Sequence, residues 1–465
     1  MIRRATLIAL AASAGPALAA GNTLFDDVAP LTGTNTPLPV GSPLEATHAL
    51  LLPGGLSQQS LVSRSGLGDL ADPAVGRFWD MIDTNRSGPD AGRYLFMPFE
   101  PSNSNVCGSG SHCASGALRV DLQTGTAATI VPVGTQNWQR GDASRWAPWG
   151  GWISGEENFD PAAAGSVATG RLFEVTNPVS ATATNLTDGT GLLVQRNNVI
   201  PRVSHEGLAF DSLNNFYFVD ENGSGSIYKF ESANPNASSG DDFFAAGTTY
   251  AMKVGAGTAD SAAGNYTWEV LDPFDADGRR AADNVGATGY SRPEDLEIRT
   301  LANGDEALVF AATGTHDVWT VNLTQSTVNQ FVTRDTVDIA TGTAVGNLLT
   351  SPDNLAIDAD GNIYIIEDQG AGDADIWLAR DTDGDGIAEY IQRWAAMQVS
   401  GAEPTGLFFD PFNPNVAYLN IQHPASGDDR LIMITAAVPE PETYAMFLAG
   451  LGLVGSVVRR RRSRG

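Results

Sequence analysis

Four segments between residues 205 and 434 repeat one pattern, and this repetition restricts the fold more than any other feature of the sequence. Each contains an alternating apolar strand, a turn rich in Asn, Asp, Gly or Pro, a second apolar strand, a polar loop and a third strand. Alternation and turn chemistry of this kind indicate antiparallel β-sheet. The four segments are "HEGLAFDSLNNFYFVDENGSGSIYKF", "PEDLEIRTLANGDEALVFAATGTHDVWTV", "PDNLAIDADGNIYIIEDQGAGDADIWLA" and "EPTGLFFDPFNPNVAYLNIQHPASGDDRLIMI".

Two looser copies of the pattern lie upstream, "GRYLFMPFEP" with "GALRVDL" and "WAPWGGWISGEEN" with "GRLFEVT". The equivalent residues Gly207, Asp295, Asn354 and Gly406 recur at intervals longer than the roughly 40 to 50 residues of compact propeller repeats, so loops are inserted between the strands. The six units predict an all-β fold, a six-bladed β-propeller with long inserted loops, closed radially so that only short strand edges remain. A β-sandwich or two stacked sheets is the alternative architecture.

Both ends of the chain carry processing signals. Residues 1–19 combine a short basic start, an apolar run and an A-x-A pattern at Ala17 and Ala19, which predicts a signal peptide and leaves the choice between Sec and twin-arginine export open. A single propeller domain over residues 20–437 would follow. The tail, residues 438–465, has a Pro-Glu-Pro triplet, an apolar stretch at 445–458 and an arginine cluster.

The apolar stretch 445–458 is shorter than the ~20 residues of an unassisted membrane span. Followed by arginines, it predicts a short, transient membrane anchor. The order of triplet, apolar stretch and arginines is similar to the PEP-CTERM sorting signals of Gram-negative bacteria. That resemblance implies processing by an exosortase and delivery to the cell surface, the outer membrane or the extracellular matrix.

Acidic residues outnumber basic ones in this chain. It has 54 Asp and Glu against 27 Lys and Arg, a formal net charge of -27. Nucleic acid is excluded as a partner, because phosphate binding of that kind needs clustered basic residues. Divalent cations are the expected partners, and a surface kept soluble by Asp and Glu is the alternative explanation.

The two cysteines, Cys107 and Cys113, stand at the ends of "CGSGSHC". In an exported chain, two cysteines across a Gly/Ser loop predict a disulfide. A metal site that includes His112 is the alternative, but two Cys and one His form an incomplete ligand set.

Carboxylates recur at the same two points of the repeat. The innermost strand of each propeller blade lines the central channel, and several of these strands begin beside an acidic residue: Glu206, Glu294, Asp353 and Glu403. Others follow the second strands: Glu156, Glu157, Asp220, Glu221, Glu367 and Asp368. Carboxylates that converge on one channel mouth repel one another unless cations lie between them. Oxygen ligands with little His indicate a hard ion, above all Ca²⁺. The alternative for any single pair is a solvated turn.

The stretch "RDTDGDGIAEY" carries a separate metal signal. Asp381, Asp383 and Asp385, with Gly386 at the sharp turn, match the start of an EF-hand-type loop. The twelfth position is Gln392, so Glu389 is the candidate for the missing acidic ligand. A structural Ca²⁺ loop is predicted, with a plain acidic turn as the alternative.

Five motifs together resemble the PhoX-type alkaline phosphatases: "APWGGWISGEEN", "SHEGLAFD", "SRPEDLEI", "SPDNLAID" and "EPTGLFFDPFNPNVAYLNIQHPASGD". The resemblance implies a six-bladed propeller whose channel mouth holds a mixed iron and calcium cluster that hydrolyses phosphomonoesters. By motif, Glu206 and Glu294 would be metal-bridging, catalytic carboxylates. Arg292 would be the catalytic phosphate clamp, since a guanidinium fork matches phosphate oxygens bidentately.

One position departs from that family. Before "EEN" the catalytic members typically carry a cysteine whose thiolate binds iron, whereas this chain has Gly155. Ca²⁺, which needs only oxygen ligands, is therefore the expected cofactor, and an Fe³⁺ site would lack a ligand. Three hypotheses remain open: a metal-dependent phosphoric monoester hydrolase, a non-catalytic calcium-stabilised surface or matrix propeller, and a lactonase-like Ca²⁺-dependent hydrolase.

Overall fold

The computed structural model describes most of the chain between Thr23 and Ala436. The described ranges are 23–33, 36–72, 75–99, 115–160, 168–188, 191–257, 260–272, 274–368 and 374–436. None of the helices in these ranges is long and apolar enough to cross a membrane. The predicted signal peptide, the sorting tail with its anchor, and the predicted Cys107–Cys113 disulfide lie outside the described residues, so the domain boundaries and the disulfide stay predictions.

The first third of the described chain forms ten short strands. They are β1 (Leu50–Leu51), β2 (Leu56–Ser63), β3 (Asp83–Thr84), β4 (Tyr94–Phe99), β5 (Gly116–Asp121), β6 (Thr126–Val131), β7 (Arg145–Trp146), β8 (Trp152–Gly155), β9 (Leu172–Val175) and β10 (Leu193–Gln195). Two short α-helices lie among them, α1 (Arg64–Leu67) and α2 (Ala183–Asp188). Single 3₁₀ turns occur at Pro43–Ala46 and Thr135–Asn137.

The middle of the chain contains nine strands and two further helices. The strands are β11 (His205–Phe210), β12 (Phe216–Asp220), β13 (Ile227–Ser232), β14 (Gly247–Val254), β15 (Gly264–Val270), β16 (Pro293–Thr300), β17 (Glu306–Ala312), β18 (Asp317–Asn322) and β19 (Thr327–Val332). The helices are α3 (Gly240–Phe243) and α4 (Gly278–Val285).

Nine more strands and one 3₁₀ turn complete the described chain. The strands are β20 (Val337–Asp338), β21 (Thr343–Ala344), β22 (Pro352–Ile357), β23 (Ile363–Glu367), β24 (Asp375–Arg380), β25 (Tyr390–Met397), β26 (Glu403–Phe409), β27 (Val416–Gln422) and β28 (Arg430–Ala436). The 3₁₀ turn is Gly346–Leu348.

The strands pair in antiparallel runs of four, and the all-β propeller prediction is confirmed. The runs are β3–β6, β7–β10, β11–β14, β16–β19, β22–β25, and β26–β28 with β2. Strand β15 joins the third and fourth runs, and β1, β20 and β21 extend the fifth. The blade count of six stays a prediction, with which these six four-stranded runs agree. In the last run, β2 from the beginning of the chain pairs with β28 from its end.

Apolar side chains from neighbouring runs pack against each other to form the core. Between the third and fourth runs, for example, Val219 and Ile227 share a buried cluster with Phe310 and Trp319. Burying a side chain of this size stabilises the fold by about 1.5 to 3 kcal/mol. The alternation along each strand therefore fixes which residues join adjacent runs.

The innermost strands are also joined by buried polar contacts. The carboxylate of Asp295 accepts hydrogen bonds from its neighbour Leu296 N (2.8 Å) and, one run further on, from Leu355 N (3.0 Å). Asn354 Oδ1 accepts one from Gly406 N (2.9 Å) in the following run. These positions, which the sequence singled out as repeat anchors, therefore lock successive inner strands in register.

A β-bulge recurs in the innermost strands and directs the site residues. In β11, β16 and β22 the pairing with the next strand shifts directly after His205, Pro293 and Pro352. A bulge inserts an unpaired residue and re-aims its side chain. The first residue inside each of these three bulges is a carboxylate, so one local irregularity repeated in the backbone brings the acidic side chains to the channel.

Candidate metal centre

One end of the channel opens into a polar cavity of about 310 Å³, which we call the acidic mouth. Most of the side chains that line it are acidic, and two are arginines. The lining residues are Asp80, Arg140, Asp142, Glu157, Glu206, Arg292, Glu294, Asp353, Asp368, Glu403, Gln422 and His423. Of the predicted ligands, the structure brings Glu157, Glu206, Glu294, Asp353 and Glu403 together here.

Five of the mouth carboxylates occupy the same position in five successive inner strands or the segments leading into them. They are Asp80, Asp142, Glu206, Glu294 and Asp353, and Thr405 takes the equivalent place in the sixth run. Asp80 and Asp142 were not predicted from the sequence, because the first two repeats match the others only loosely. Aligning "RFWDMI" and "RGDAS" with "SHEGLA" would have found them.

The acidic pairs that follow the second strands divide between two environments. The first member of each pair is buried and satisfied by the protein. Asp220, for instance, binds Arg279 at 2.8 Å and accepts a hydrogen bond from Ser204 N, and Glu367 accepts one from Trp377 Nε1. The second member turns towards the channel, since successive side chains of a strand point to opposite faces.

Glu156 is the first member of its pair and lies away from the mouth. It is fully buried, and its carboxylate receives the guanidinium of Arg171 together with the backbone N–H groups of Gln139 and Arg171. All of these donors come from the protein itself. We therefore leave Glu156, which the sequence suggested as a metal ligand, out of the proposed metal site. Its neighbour Glu157, also predicted as a ligand, stays in the site.

Two sets of three carboxylates are close enough to bind one cation each. In the first set, Glu206, Glu294 and Asp353 each offer an oxygen within 4.8 Å of the other two. In the second set, Glu157, Glu206 and Glu221 do the same. Glu206 belongs to both sets, so it is the carboxylate that the two candidate ion sites would share. Glu221, which the sequence placed among the acidic residues after the second strands, joins the candidate ligands here.

Burial and mutual repulsion raise the pKa of the mouth carboxylates. Burial acts first on Glu206, and the negative charges of Asp142, Glu294 and Glu157 raise its pKa further above the ordinary range. The pKa of Asp80 rises to about 7, first through burial and then through Glu157. Ionising the whole group at neutral pH therefore costs free energy unless positive charge is added.

The same pattern holds on the other side of the mouth. The pKa of Asp353 lies well above its usual value because of burial and then of Glu294, Asp368 and Glu403. Burial and Asp368 likewise raise the pKa of Glu403. Ionising these carboxylates together is unfavourable in the absence of cations. It becomes favourable when hard cations are bound, since carboxylate oxygens are the ligands that Ca²⁺ prefers.

The donor atoms fit a hard ion. Oε2 of Glu206 is buried and has no hydrogen-bond partner within the part of the chain that the structure describes. The one imidazole that lines the mouth, His423, stacks on Phe78 with ring centroids 4.0 Å apart, and burial lowers its pKa to about 4. The residues present therefore fit calcium better than a soft metal.

Two arginines lie at equivalent positions in the mouth, each two residues before one of the five equivalent carboxylates. Arg292 precedes Glu294, and Arg140 precedes Asp142. Both have the left-handed backbone conformation that non-glycine residues rarely adopt, with φ of 51° and 41° respectively. Arg292 Nε and Nη2 each lie 2.8 Å from Glu221 Oε1, and Nη2 lies 3.2 Å from Glu294.

Gly155, the residue before "EEN", packs against the side chain of His205 in the next run. A Cβ built on Gly155 would lie 2.3 Å from His205 Cβ and 3.0 Å from His205 Cγ. His205 itself is fully buried and packs against Phe218, and burial lowers its pKa to about 3, with the backbone of Gly170 partly opposing that shift. A thiol could not occupy this position without displacing His205.

Residues 141–332 match the family model of the alkaline phosphatase PhoX. The resemblance noted in the sequence is thereby confirmed for this region. Residues 437–462 match the PEP-CTERM protein-sorting motif, which confirms the second resemblance and implies export with a C-terminal sorting signal for exosortase processing. No curated protein matches the chain significantly.

Solved structures resemble the chain only distantly. A catalytically inactive virginiamycin B lyase from Staphylococcus aureus is 12% identical with a TM-score of 0.42, over 82% of this chain and 100% of that one. A luciferin-regenerating enzyme is 10% identical with a TM-score of 0.44, over 77% and 92%. Regucalcin, a calcium-binding protein from Agrobacterium tumefaciens, is 13% identical with a TM-score of 0.36, over 79% and 94%.

The PhoX-matching region supplies only part of the acidic mouth. Asp142, Glu157, Glu206, Arg292 and Glu294 lie inside residues 141–332. The remaining mouth residues lie outside it: Asp80, Arg140, Asp353, Asp368, Glu403, Gln422 and His423. The site therefore combines residues of the matched region with residues of runs that this region does not contain.

The predicted calcium loop also lies outside the PhoX-matching region. Asp381, Asp383, Asp385 and Glu389 each offer an oxygen within 4.8 Å of the others. Gln392, the twelfth position of the loop, instead donates a hydrogen bond to Val28 O. The loop backs onto the fourth run, since a Cβ on Gly384 would lie 2.2 Å from Ala302 Cβ and Arg299 binds Asp381 at 3.1 Å.

Proposed function

We propose that this exported propeller binds calcium in the acidic mouth and hydrolyses phosphomonoesters there. One observation carries the proposal. Glu206 lies in two sets of carboxylates whose oxygens are within 4.8 Å of one another, beside the guanidinium of Arg292. A phosphate dianion would be repelled by the bare carboxylates, so cations and an arginine are both needed to bind it.

In this proposal five carboxylates of the chain would bind two calcium ions. Glu206, Glu294 and Asp353 would hold one ion and Glu157, Glu206 and Glu221 another. When bound, the ions supply positive charge that polarises the phosphoryl group and lowers the pKa of water.

Arg292 would orient the phosphate. Its fork matches two phosphate oxygens, and its ion pairs with Glu221 and Glu294 keep it at the edge of both carboxylate sets. Glu403, close to Asp368, would complete the oxygen lining on the opposite side. The loop with Asp381, Asp383 and Asp385 would hold a further, structural calcium ion.

Iron is not part of the proposal. The family's thiolate position is Gly155, and His205 fills the space next to it. That observation also favours a second candidate function, a non-catalytic calcium-stabilised propeller of the cell surface or matrix, in which the mouth has kept its ions and lost the reaction.

Elemental analysis and a phosphatase assay separate these functions. Purified full-length protein is expected to contain calcium and to release p-nitrophenol from p-nitrophenyl phosphate, with activity lost in Arg292→Ala and after treatment with EDTA. Arg280→Ala is the matched control, since Arg280 is an exposed arginine that pairs with Asp275 outside the mouth. Bound calcium without turnover would favour the non-catalytic propeller, and protein with no bound metal would contradict both.

A further inference from the structure

The acidic mouth contains a second guanidinium that neither the motifs nor the PhoX-matching region covers. Arg140 lines the same cavity as Arg292, and it precedes the matched region by one residue. Its side chain is 48% exposed. Arg292 is exposed to a similar extent, at 44%, so both charged groups can reach a ligand in the mouth.

The two arginines occupy the same structural position in two different runs. The carbonyl of Arg140 accepts a hydrogen bond from Glu157 N (2.9 Å), and the carbonyl of Arg292 accepts one from Thr313 N (3.0 Å). Thr313 directly follows the second strand of its run, and Glu157 lies two residues after the second strand of its own. The equivalent positions in the third and fifth runs are Ser204 and Ser351, which carry no charge.

The run that carries Glu206 lies between these two arginines. Arg140 forms an ion pair with Glu157 at 3.7 Å, and Arg292 forms one with Glu221 at 2.8 Å. Glu157, Glu206 and Glu221 are the three carboxylates of one candidate ion site. Each arginine therefore pairs with a different carboxylate of this set, so the two guanidinium groups flank the candidate ion site.

The guanidinium of Arg140 makes fewer contacts with protein side chains than that of Arg292. Its contact with Glu157 is a long ion pair, and within the described ranges its side chain donates no hydrogen bond. Arg292, in contrast, makes short contacts to Glu221 with both Nε and Nη2. When cations occupy the carboxylates, Arg140 can turn its full fork towards an anion, whereas part of the Arg292 fork is already engaged.

We propose that Arg140 and Arg292 together form the anion site of the mouth and grip one phosphate dianion from opposite sides of the Glu157–Glu206–Glu221 ion site. This inference rests on the proposed function, because it names the group that recognises its substrate class. Arg140 is a positioning residue in this scheme and sets the preference for dianionic monoesters over singly charged diesters. Two guanidinium charges attract the dianion more strongly than a monoanion.

The test is titration calorimetry with inorganic orthophosphate on calcium-loaded, full-length protein. Arg140→Ala is expected to weaken phosphate binding by roughly tenfold to a hundredfold, the effect of removing one charge-assisted contact. Arg140→Lys should recover part of that loss, because it restores the charge without the fork. Arg280→Ala, with a 59% exposed side chain outside the mouth, should bind phosphate as the wild type does.

Two further measurements distinguish an anion site from a structural role. Neither calcium affinity nor the melting temperature should fall in Arg140→Ala, because the arginine competes with the ion for Glu157. The KM for p-nitrophenyl phosphate should rise more than the KM for bis(p-nitrophenyl) phosphate. Equal rises for the two esters, or phosphate binding equal to that of the wild type, would overturn the proposal.

The outcomes also separate this inference from the proposed hydrolysis. If the wild type binds phosphate with dependence on Arg140 but hydrolyses no ester, the two-arginine site stands and the catalytic function fails. If the wild type hydrolyses the monoester and Arg140→Ala does so with unchanged KM, the function stands and the two-arginine site fails. Calcium-loaded protein that binds no phosphate would contradict the two-arginine site.

Discussion

His205 occupies the space beside Gly155, because the Cβ of any larger residue at position 155 would lie 2.3 Å from His205 Cβ. Real Cβ atoms do not approach so closely, and His205 is fully buried and cannot swing into solvent. The glycine is thus a packing requirement of this chain. A cysteine at this position would require His205 to move.

Substitution of Gly155 should therefore destabilise the protein without adding a metal ligand. Gly155→Cys is expected to lower the free energy of unfolding by about 1 to 3 kcal/mol through overpacking, with no absorption band from thiolate bound to iron. Denaturant unfolding and a visible spectrum after addition of Fe³⁺ measure both effects. Gly223→Cys is the control, since nothing lies within 4 Å of a Cβ there. A stable Gly155→Cys protein that binds iron would show that the clash is relieved.

The adjacent glutamates Glu156 and Glu157 should behave in opposite ways. Glu156→Gln weakens a buried ion pair with Arg171 and should lower stability by about 3 to 5 kcal/mol, with or without calcium. Glu157→Gln removes a repelling charge from the mouth and should leave the stability of the metal-free protein unchanged or higher, while calcium binding weakens. Thermal unfolding of both variants in EDTA and in calcium tests this contrast. Similar behaviour of the two variants would contradict the division of the pair.

Calcium should stabilise the protein through Glu206. At a calcium concentration of 100 times the Kd, one site adds about 2.7 kcal/mol to the free energy of unfolding, and EDTA should remove that contribution. Glu206→Gln should abolish most of the calcium effect and raise the melting temperature in EDTA, because the repulsion from Glu294 and Asp142 is relieved. A Glu206→Gln protein that calcium stabilises as strongly as the wild type would show that the ions bind elsewhere.

The loop with Asp381, Asp383 and Asp385 should bind its ion independently of the mouth. Asp383→Asn is expected to remove one bound calcium per chain, measured by elemental analysis, without changing orthophosphate binding or the KM for a monoester. Because Asp381 of this loop pairs with Arg299 of the fourth run, loss of the ion is expected to lower the melting temperature in calcium. A change in phosphate affinity would connect this loop to the mouth and contradict the separation.

In EDTA, stability should fall as the pH rises from about 4 to 7. Burial and neighbouring charge raise the pKa of Asp80 and of Glu221 to about 7 in the folded protein, above the ordinary values of 3.8 and 4.5. Between these limits the folded state holds more protons than the unfolded one, so raising the pH favours unfolding. With calcium present the trend should reverse, because ions bind the deprotonated carboxylates. Unfolding midpoints across this range, with and without calcium, test both signs.

The sequence by itself determined the strands and their repetition. Alternation of apolar residues and Asn-, Asp- and Gly-rich turns are local properties, so they can be recognised in the sequence without knowledge of the tertiary structure. The same is true of Glu206, Glu294 and Asp353, which stand at one point of a clear repeat. Asp80 and Asp142 were missed because their repeats have diverged, although the backbone brings them to the same ring.

Only the tertiary structure decided which acidic side chains face the channel. In sequence, Glu156 and Glu157 are equivalent, but the strand points one towards Arg171 in the interior and the other into the mouth. Arg140 likewise becomes a candidate site residue only because the second run places it in the same mouth as Arg292. Side-chain direction and the meeting of distant runs depend on the closure of the sheets around the channel, which no local pattern encodes.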